Sequence, residues 1–214
     1  MLIIFDLDGT LTDPKEGITK CVQYALADQG IQASLEELTP FIGPPLLDSF
    51  QRFYGLDPQQ AQQAVQKYRE RFSKVGKYEN IVYPGIREML AKLKANGHRL
   101  AVGSSKPEVY VLDILKHFDL DKYFDVITGS ELDGSRIHKA EVIDEIFKRL
   151  ASSSKAIMVG DRKFDVEGAH EHHIPCIGVT YGYGQENELA NANADWLANS
   201  VFETEQILLE NSNV

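Results

Sequence analysis

Short apolar runs recur along the chain, and most stop at a small or acidic residue. Leu2–Phe5, residues 99–102, 124–127 and 156–159, Cys176–Val179 and Trp196–Ala198 each have the length of a buried strand. Between them, apolar residues repeat at helical spacing. Ile86, Met89, Leu90 and Leu93 precede Gly97; Val109, Leu112, Leu115 and Phe118 form a second set; Val142, Ile143, Ile146, Phe147 and Leu150 form a third. Continuous apolar strands that alternate with helices imply parallel pairing, because each crossover helix covers a face of the sheet. The pattern predicts an α/β fold with a doubly wound, Rossmann-like parallel sheet.

One interval breaks the alternation. From Asp13 to about Pro84 the apolar spacing is helical throughout. Asp13 followed by Pro14 reads as an N-cap with proline at the first helical position, leading into Ile18, Cys21, Val22, Ala25 and Leu26. Ser34 and Glu37 have capping-box spacing. The "FIGPP" stretch reads as a turn, after which Leu46, Leu47, Phe50 and Phe53 resume helical spacing. Asp57 and Pro58 open another helix, with Ala61, Ala64, Val65, Tyr68 and Phe72 inward and Gly76 at its end. The chain is therefore expected to divide into a core, residues 1–13 and 84–214, and an inserted all-helical domain, residues 14–83. Residues 152–154, all serine, read as a helix-to-strand loop.

Composition narrows the class. The formal net charge is −10, which argues against a nucleic-acid partner, since phosphate contacts need clustered Lys and Arg. An acidic chain binds an anion only through a local cation or a metal ion. Cys21 and Cys176 have no metal-ligand or disulfide spacing and read as small core residues in a reducing compartment. No stretch approaches the ~18 apolar residues of a membrane span, and the first residues carry no basic segment. A cytoplasmic protein with no membrane partner is expected.

Ligands of a doubly wound sheet bind beyond the carboxyl ends of its strands, so the residues after each apolar run matter most. The first run ends in Asp6, with Asp8, Gly9 and Thr10 beyond it. The second leads to Ser104, Ser105 and Lys106, and the fourth to Asp161, with Asp165 one helical turn on. Carboxylates brought that close repel, and either a shared proton or a bound cation relieves them. Oxygen ligands on a rigid edge suit Mg2+. Lys139 opens a helix, where the macrodipole disfavours a cation, so an anion held nearby gives it a reason. Ser104 to Pro107 reads as a helix start whose free amides face the same edge.

This set, "DLDGT" after an apolar N-terminal run, then Ser104, Lys139 and the Asp161/Asp165 pair, resembles the haloacid dehalogenase superfamily over essentially the whole chain. The pattern looks most like its phosphoglycolate-phosphatase-like branch, and the insert stands where that branch carries a helical cap. The resemblance implies a Mg2+-dependent phosphatase. It makes Asp6 the nucleophile that forms an aspartyl-phosphate and Asp8 the general acid and then base. Mg2+ would be held by Asp6, the Asp8 carbonyl and Asp161, with Asp165 in support. Ser104 and Lys139 would bind phosphoryl oxygens, with Thr10, Ser105 and Lys106 supporting them. Asp8 speaks against dehalogenase or phosphonatase chemistry, because neither needs a second acid there.

Three positions depart from the usual pattern. Ser-Ser-Lys replaces Thr-Asn-Lys; Ala140 rather than proline follows Lys139, which makes Lys106 a second candidate cation; and Arg162 stands where a small residue is frequent. Arg162 is expected either to pair with the acidic edge or to point at solvent. "HEHH" at His170 to His173 is read as helix-end histidines rather than a metal site. Residues 181–184, "YGYG", read as a flexible aromatic turn. In the helical insert, Gly43, Pro44 and Pro45 offer a rigid turn, and Arg69 or Lys20 offers a cation for the substrate. The expected partner is a small phosphorylated metabolite, phosphoglycolate-like or a nucleoside monophosphate, handled by a monomer or weak homodimer. The alternatives are a sugar-phosphate phosphotransferase of the phosphomutase type and a non-catalytic phospholigand-binding regulator.

Overall fold

The computed structural model describes residues 1–151 and 155–211, so the expected loop at 152–154 lies outside the described residues. The chain separates into two compact units, Met1–Asp13 with Val82–Val214, and Pro14–Ile81. The larger unit is built on six strands: β1 (Leu2–Phe5), β2 (Arg99–Pro107), β3 (Val126–Ser130), β4 (Ala156–Gly160), β5 (Cys176–Val179) and β6 (Trp196–Ala198). Their order is β3-β2-β1-β4-β5-β6, and every neighbouring pair is parallel. That order is the one seen in doubly wound nucleotide-binding sheets.

The helices in chain order are α1 (Lys15–Asp28), α2 (Leu46–Tyr54) and α3 (Pro58–Phe72) in the smaller unit. The larger unit has α4 (Ile86–Ala95), α5 (Glu108–His117), α6 (Lys139–Leu150), α7 (Lys163–Glu171), α8 (Glu188–Asn191) and α9 (Val201–Glu210). One face of the sheet packs Leu2, Ile4, Ala101 and Met158 against Val142, Ile143 and Ile146 of α6 and Val166 and Ala169 of α7. Ile3 and Phe5 alternate to the opposite face and are also fully buried. No helix among the described residues is long and apolar enough to cross a membrane.

The register decides the chemistry. Phe5 lies opposite Val102 on one side and Val159 on the other. The next residues, Asp6, Gly103 and Gly160, therefore stand at one level across the sheet, followed by Ser104 and Asp161.

The smaller unit is held by α1 against α3 and α2 against α3. Ala61, Ala64, Val65, Tyr68 and Phe72 form the buried face of α3, as its spacing predicts. Asp57 and Gln60 cap that helix reciprocally, each side chain accepting the other's backbone N–H at 2.8 and 3.0 Å. Phe41 anchors the α2 end, with Phe50, Phe53 and Tyr54 at ring centroid distances of 5.0, 5.4 and 6.0 Å.

Four local expectations need correction. Asp13 is not a helix cap: Pro14 takes the cap position of α1 without a side-chain bond, and the Asp13 carboxylate is drawn into a tertiary contact described below. Strand β2 does not stop at residue 102 but continues to Pro107, with a register irregularity after Gly103. Ser104, Ser105 and Lys106 therefore belong to a strand end, and Pro107 is the cap of α5 rather than its first residue. Strand β3 starts at Val126, and Thr128, Gly129 and Ser130 extend it although they are not apolar. Ser34 and Glu37 make only half a box: Glu37 accepts from the Ser34 N–H and hydroxyl at 2.8 and 2.9 Å, ahead of a 3-10 turn.

Candidate active site

Beyond β1 the chain folds back on itself at once. The Asp6 N–H donates to the Val159 carbonyl at 2.9 Å, so the first aspartate is fixed by the ladder itself. The N–H groups of Leu11 and Thr12 both return to the Leu7 carbonyl at 2.9 and 3.0 Å, and Leu7 and Leu11 are fully buried beneath this turn. Gly9 has φ +77°, and a Cβ there would stand 2.1 Å from Asp161 Oδ2. Only glycine lets the two strand ends approach this closely.

One carboxylate oxygen each from Asp6, Asp161 and Asp165 lies within 4.8 Å of the other two. Lys139, the first residue of α6, reaches in among them. Its Nζ is 2.7 Å from Asp165 Oδ1 and 3.2 Å from Asp6 Oδ1, and it donates to the Gly103 carbonyl at 2.8 Å. Burial works against the Lys139 charge, but the Asp165 and Asp6 carboxylates outweigh it and hold the ammonium above its ordinary pKa. Burial raises the Asp165 carboxyl, against the pull of Lys139. It raises Asp161 well above the usual carboxylate range, with the Asp165 and Asp6 charges adding to the effect.

Asp8 stands apart from this cluster. Its carboxylate is paired with Lys106 at 2.6 Å. Burial raises its pKa, and Lys106 pulls the other way. The two lysines weighed as alternative cations thus serve different aspartates, Lys139 for Asp6 and Lys106 for Asp8. Ser104 is buried, and its Oγ accepts from the Lys106 N–H at 3.4 Å; Ser105 beside it is half-buried. Thr10 is buried in the turn, and its hydroxyl has no hydrogen-bond partner among the described residues.

The donor set fits a hard divalent cation. Asp161 is 1% exposed; its Oδ2 accepts from the Tyr183 N–H at 2.7 Å, while its Oδ1 has no hydrogen-bond partner among the described residues. A buried, unpaired carboxylate oxygen facing two further carboxylates is costly unless a proton or a cation satisfies it. Oxygen-only ligands of this kind suit Mg2+. Residues 3–179 match the model of the haloacid dehalogenase-like hydrolase family.

The chain belongs to that family. It is 50% identical over 189 residues to a Pseudomonas aeruginosa protein named 5'-nucleotidase, covering 87% of this chain and 86% of that protein. It is also 40% identical over 186 residues to the tyrosine-protein kinase PtkA of Mycobacterium tuberculosis, covering 86% of this chain and 63% of that one. Among solved structures, a predicted phosphatase from Clostridium acetobutylicum superposes with a TM-score of 0.94 at 47% identity, over 98% of both chains.

Several residues of this dehalogenase-like site are not apparent from sequence patterning. The 181–184 turn is tied to its surroundings through both of its tyrosines. Tyr181 donates its hydroxyl to the Thr10 carbonyl at 3.1 Å and meets Tyr83 edge-on at 5.0 Å. Tyr183 gives its N–H to Asp161 and its hydroxyl to Asp13. Arg162 pairs with Glu188 at 2.9 Å, and its N–H donates to Asp165 Oδ2 at 3.1 Å; Glu188 also accepts from the N–H groups of Lys163 and Gln185. Of the histidines, His170 hydrogen bonds with Asp195 at 3.0 Å and His172 with the Ala140 carbonyl at 3.0 Å. In the helical unit, Lys20 pairs with Glu16 and Glu79 at 2.5 and 3.2 Å.

Proposed function

We propose that this haloacid dehalogenase-like hydrolase is a Mg2+-dependent phosphatase acting on small phosphomonoesters, with nucleoside 5'-monophosphates the first class to test. The observation that carries the reading is the division of labour between the two N-terminal aspartates. Asp6 sits with the carboxylate cluster and Lys139, while Asp8 lies on its own lysine with a raised pKa.

In this reading Asp6 attacks phosphorus, the bond from phosphorus to the leaving oxygen breaks, and Asp8 delivers its proton to that oxygen. A raised pKa keeps Asp8 protonated at a higher pH than an ordinary carboxyl, as an acid for an alkoxide leaving group requires. Water then attacks the aspartyl-phosphate, with Asp8 taking its proton, and Asp6 is regenerated. Lys139, 3.2 Å from Asp6, balances the phosphoryl charge, and Ser104 offers a hydroxyl to a phosphoryl oxygen. Mg2+ would be held by Asp6, Asp161 and the Asp8 carbonyl, with Asp165 in support, and supplies positive charge where the transferring group becomes more negative. We read the larger unit as the catalytic core and the helical unit as the cap that selects the substrate.

A phosphotransferase is the second reading, since an aspartyl-phosphate can pass to an acceptor hydroxyl instead of water. The likeness to a protein named as a kinase favours keeping it. Phosphate release measured across nucleoside monophosphates, phosphoglycolate and sugar phosphates decides between them. Release with Mg2+, strongest for a nucleoside monophosphate, supports the proposal. Transfer to an acceptor without release supports the second reading, and silence on every ester refutes both.

A further inference from the structure

Asp161 cannot choose its own side-chain position. Its Cβ and Oδ2 lie where a Cβ on Gly182 would fall, at 2.4 and 2.5 Å, and its Oδ2 is held by the Tyr183 amide at 2.7 Å. A Cβ on Gly184 would likewise stand 2.5 Å from the Asp161 carbonyl oxygen. The turn therefore lies directly on the aspartate, and its position is set by bonds outside the cluster. Tyr181 ties it to the Thr10 carbonyl, and the Tyr183 hydroxyl ties it to the Asp13 carboxylate. Further along, Glu188 fixes the same segment to Arg162 and to the Lys163 N–H at 2.9 Å each. None of these groups belongs to the set that meets phosphate in the mechanism above.

We propose that Tyr183 is a positioning residue: its hydroxyl bond to Asp13 holds the 181–184 turn so that the Tyr183 amide orients the Asp161 carboxylate, and this sets the affinity of the site for a divalent cation. The inference rests on the metal reading above. Groups that orient a metal ligand control affinity because a ligand free to rotate must be ordered when the ion binds. Asp13 acts at one remove, as the anchor of the anchor.

The test is Mg2+ binding by titration calorimetry to the parent, Tyr183→Phe, Asp13→Ala and Asp13→Asn, with thermal unfolding of each in EDTA. Loss of the tether in Tyr183→Phe or Asp13→Ala weakens Mg2+ binding about tenfold. Asp13→Asn, which keeps an acceptor oxygen for the hydroxyl, stays within about twofold of the parent, a rescue that mere loss of packing does not produce. Should Tyr183→Phe not fold, Asp13→Ala reads the same tether from its other end. If both tether-breaking variants bind Mg2+ like the parent, the positioning role is refuted and the metal reading stands. If the parent itself binds no Mg2+, the metal reading fails, and the clamp fails with it.

Discussion

At the carboxyl edge of the sheet, Asp161, Asp165 and Lys139 are only 1 to 5% exposed. In the helical unit comparable depth is filled by Phe41, Phe50 and Phe72, and the Arg71–Glu79 pair stays partly open to solvent, with its side chains 23% and 20% exposed. The contrast separates two uses of burial. In the helical unit apolar atoms leave water and stabilise the fold. At the sheet edge charged groups leave water, which destabilises it unless partners are complete. Lys139 supplies part of that partnership; Asp161 Oδ1 lacks the rest. The larger unit carries this liability because the ends of β1 and β4 and the first turn of α7 bring Asp6, Asp161 and Asp165 together.

The contrast breaks most visibly in the helical unit. Phe41→Ala empties the centre of an aromatic cluster and is expected to destabilise the protein by about 3–5 kcal/mol. Urea unfolding measures this, and a loss below about 1 kcal/mol would show that the cluster is not a core.

At the sheet edge the sign reverses. Asp161→Asn keeps an acceptor for the Tyr183 amide but removes a buried charge, so without metal it is expected to stabilise by about 1–2 kcal/mol at neutral pH. The direction follows from the raised pKa of Asp161 in the fold. A carboxyl whose folded pKa exceeds its unfolded one favours folding below the unfolded value and loses that contribution as pH rises through the folded value. Thermal unfolding in EDTA should therefore show the gap between Asp161→Asn and the parent widening as pH rises. Added Mg2+ should stabilise the parent and leave the variant nearly unmoved. A gap that narrows with pH would refute the charged-edge account.

The fold was legible where one physical rule acted alone. Leu2–Phe5, Cys176–Val179 and Trp196–Ala198 are strands within the bounds their apolar runs suggest, and the inward face of α3 follows from spacing. It was less legible where polar residues continue a ladder. Ser104, Ser105 and Lys106 look like a helix start, yet their backbone stays in β2. Asp13 looked like a cap because the rule is local, but a tyrosine 170 positions away takes its carboxylate. The aspartates and Lys139 are recognisable as a set because each follows a strand or opens a helix. Tyr183 and Glu188 follow no such rule, since their partners are met only through tertiary folding.

The central claim concerns Asp6, and phosphate release from a nucleoside monophosphate with Mg2+ tests it most directly when parent and Asp6→Asn are compared side by side. The account predicts a loss on the order of a thousandfold or more for the variant, since the nucleophile itself is removed. Hydrolysis by Asp6→Asn at near the parent rate would contradict it.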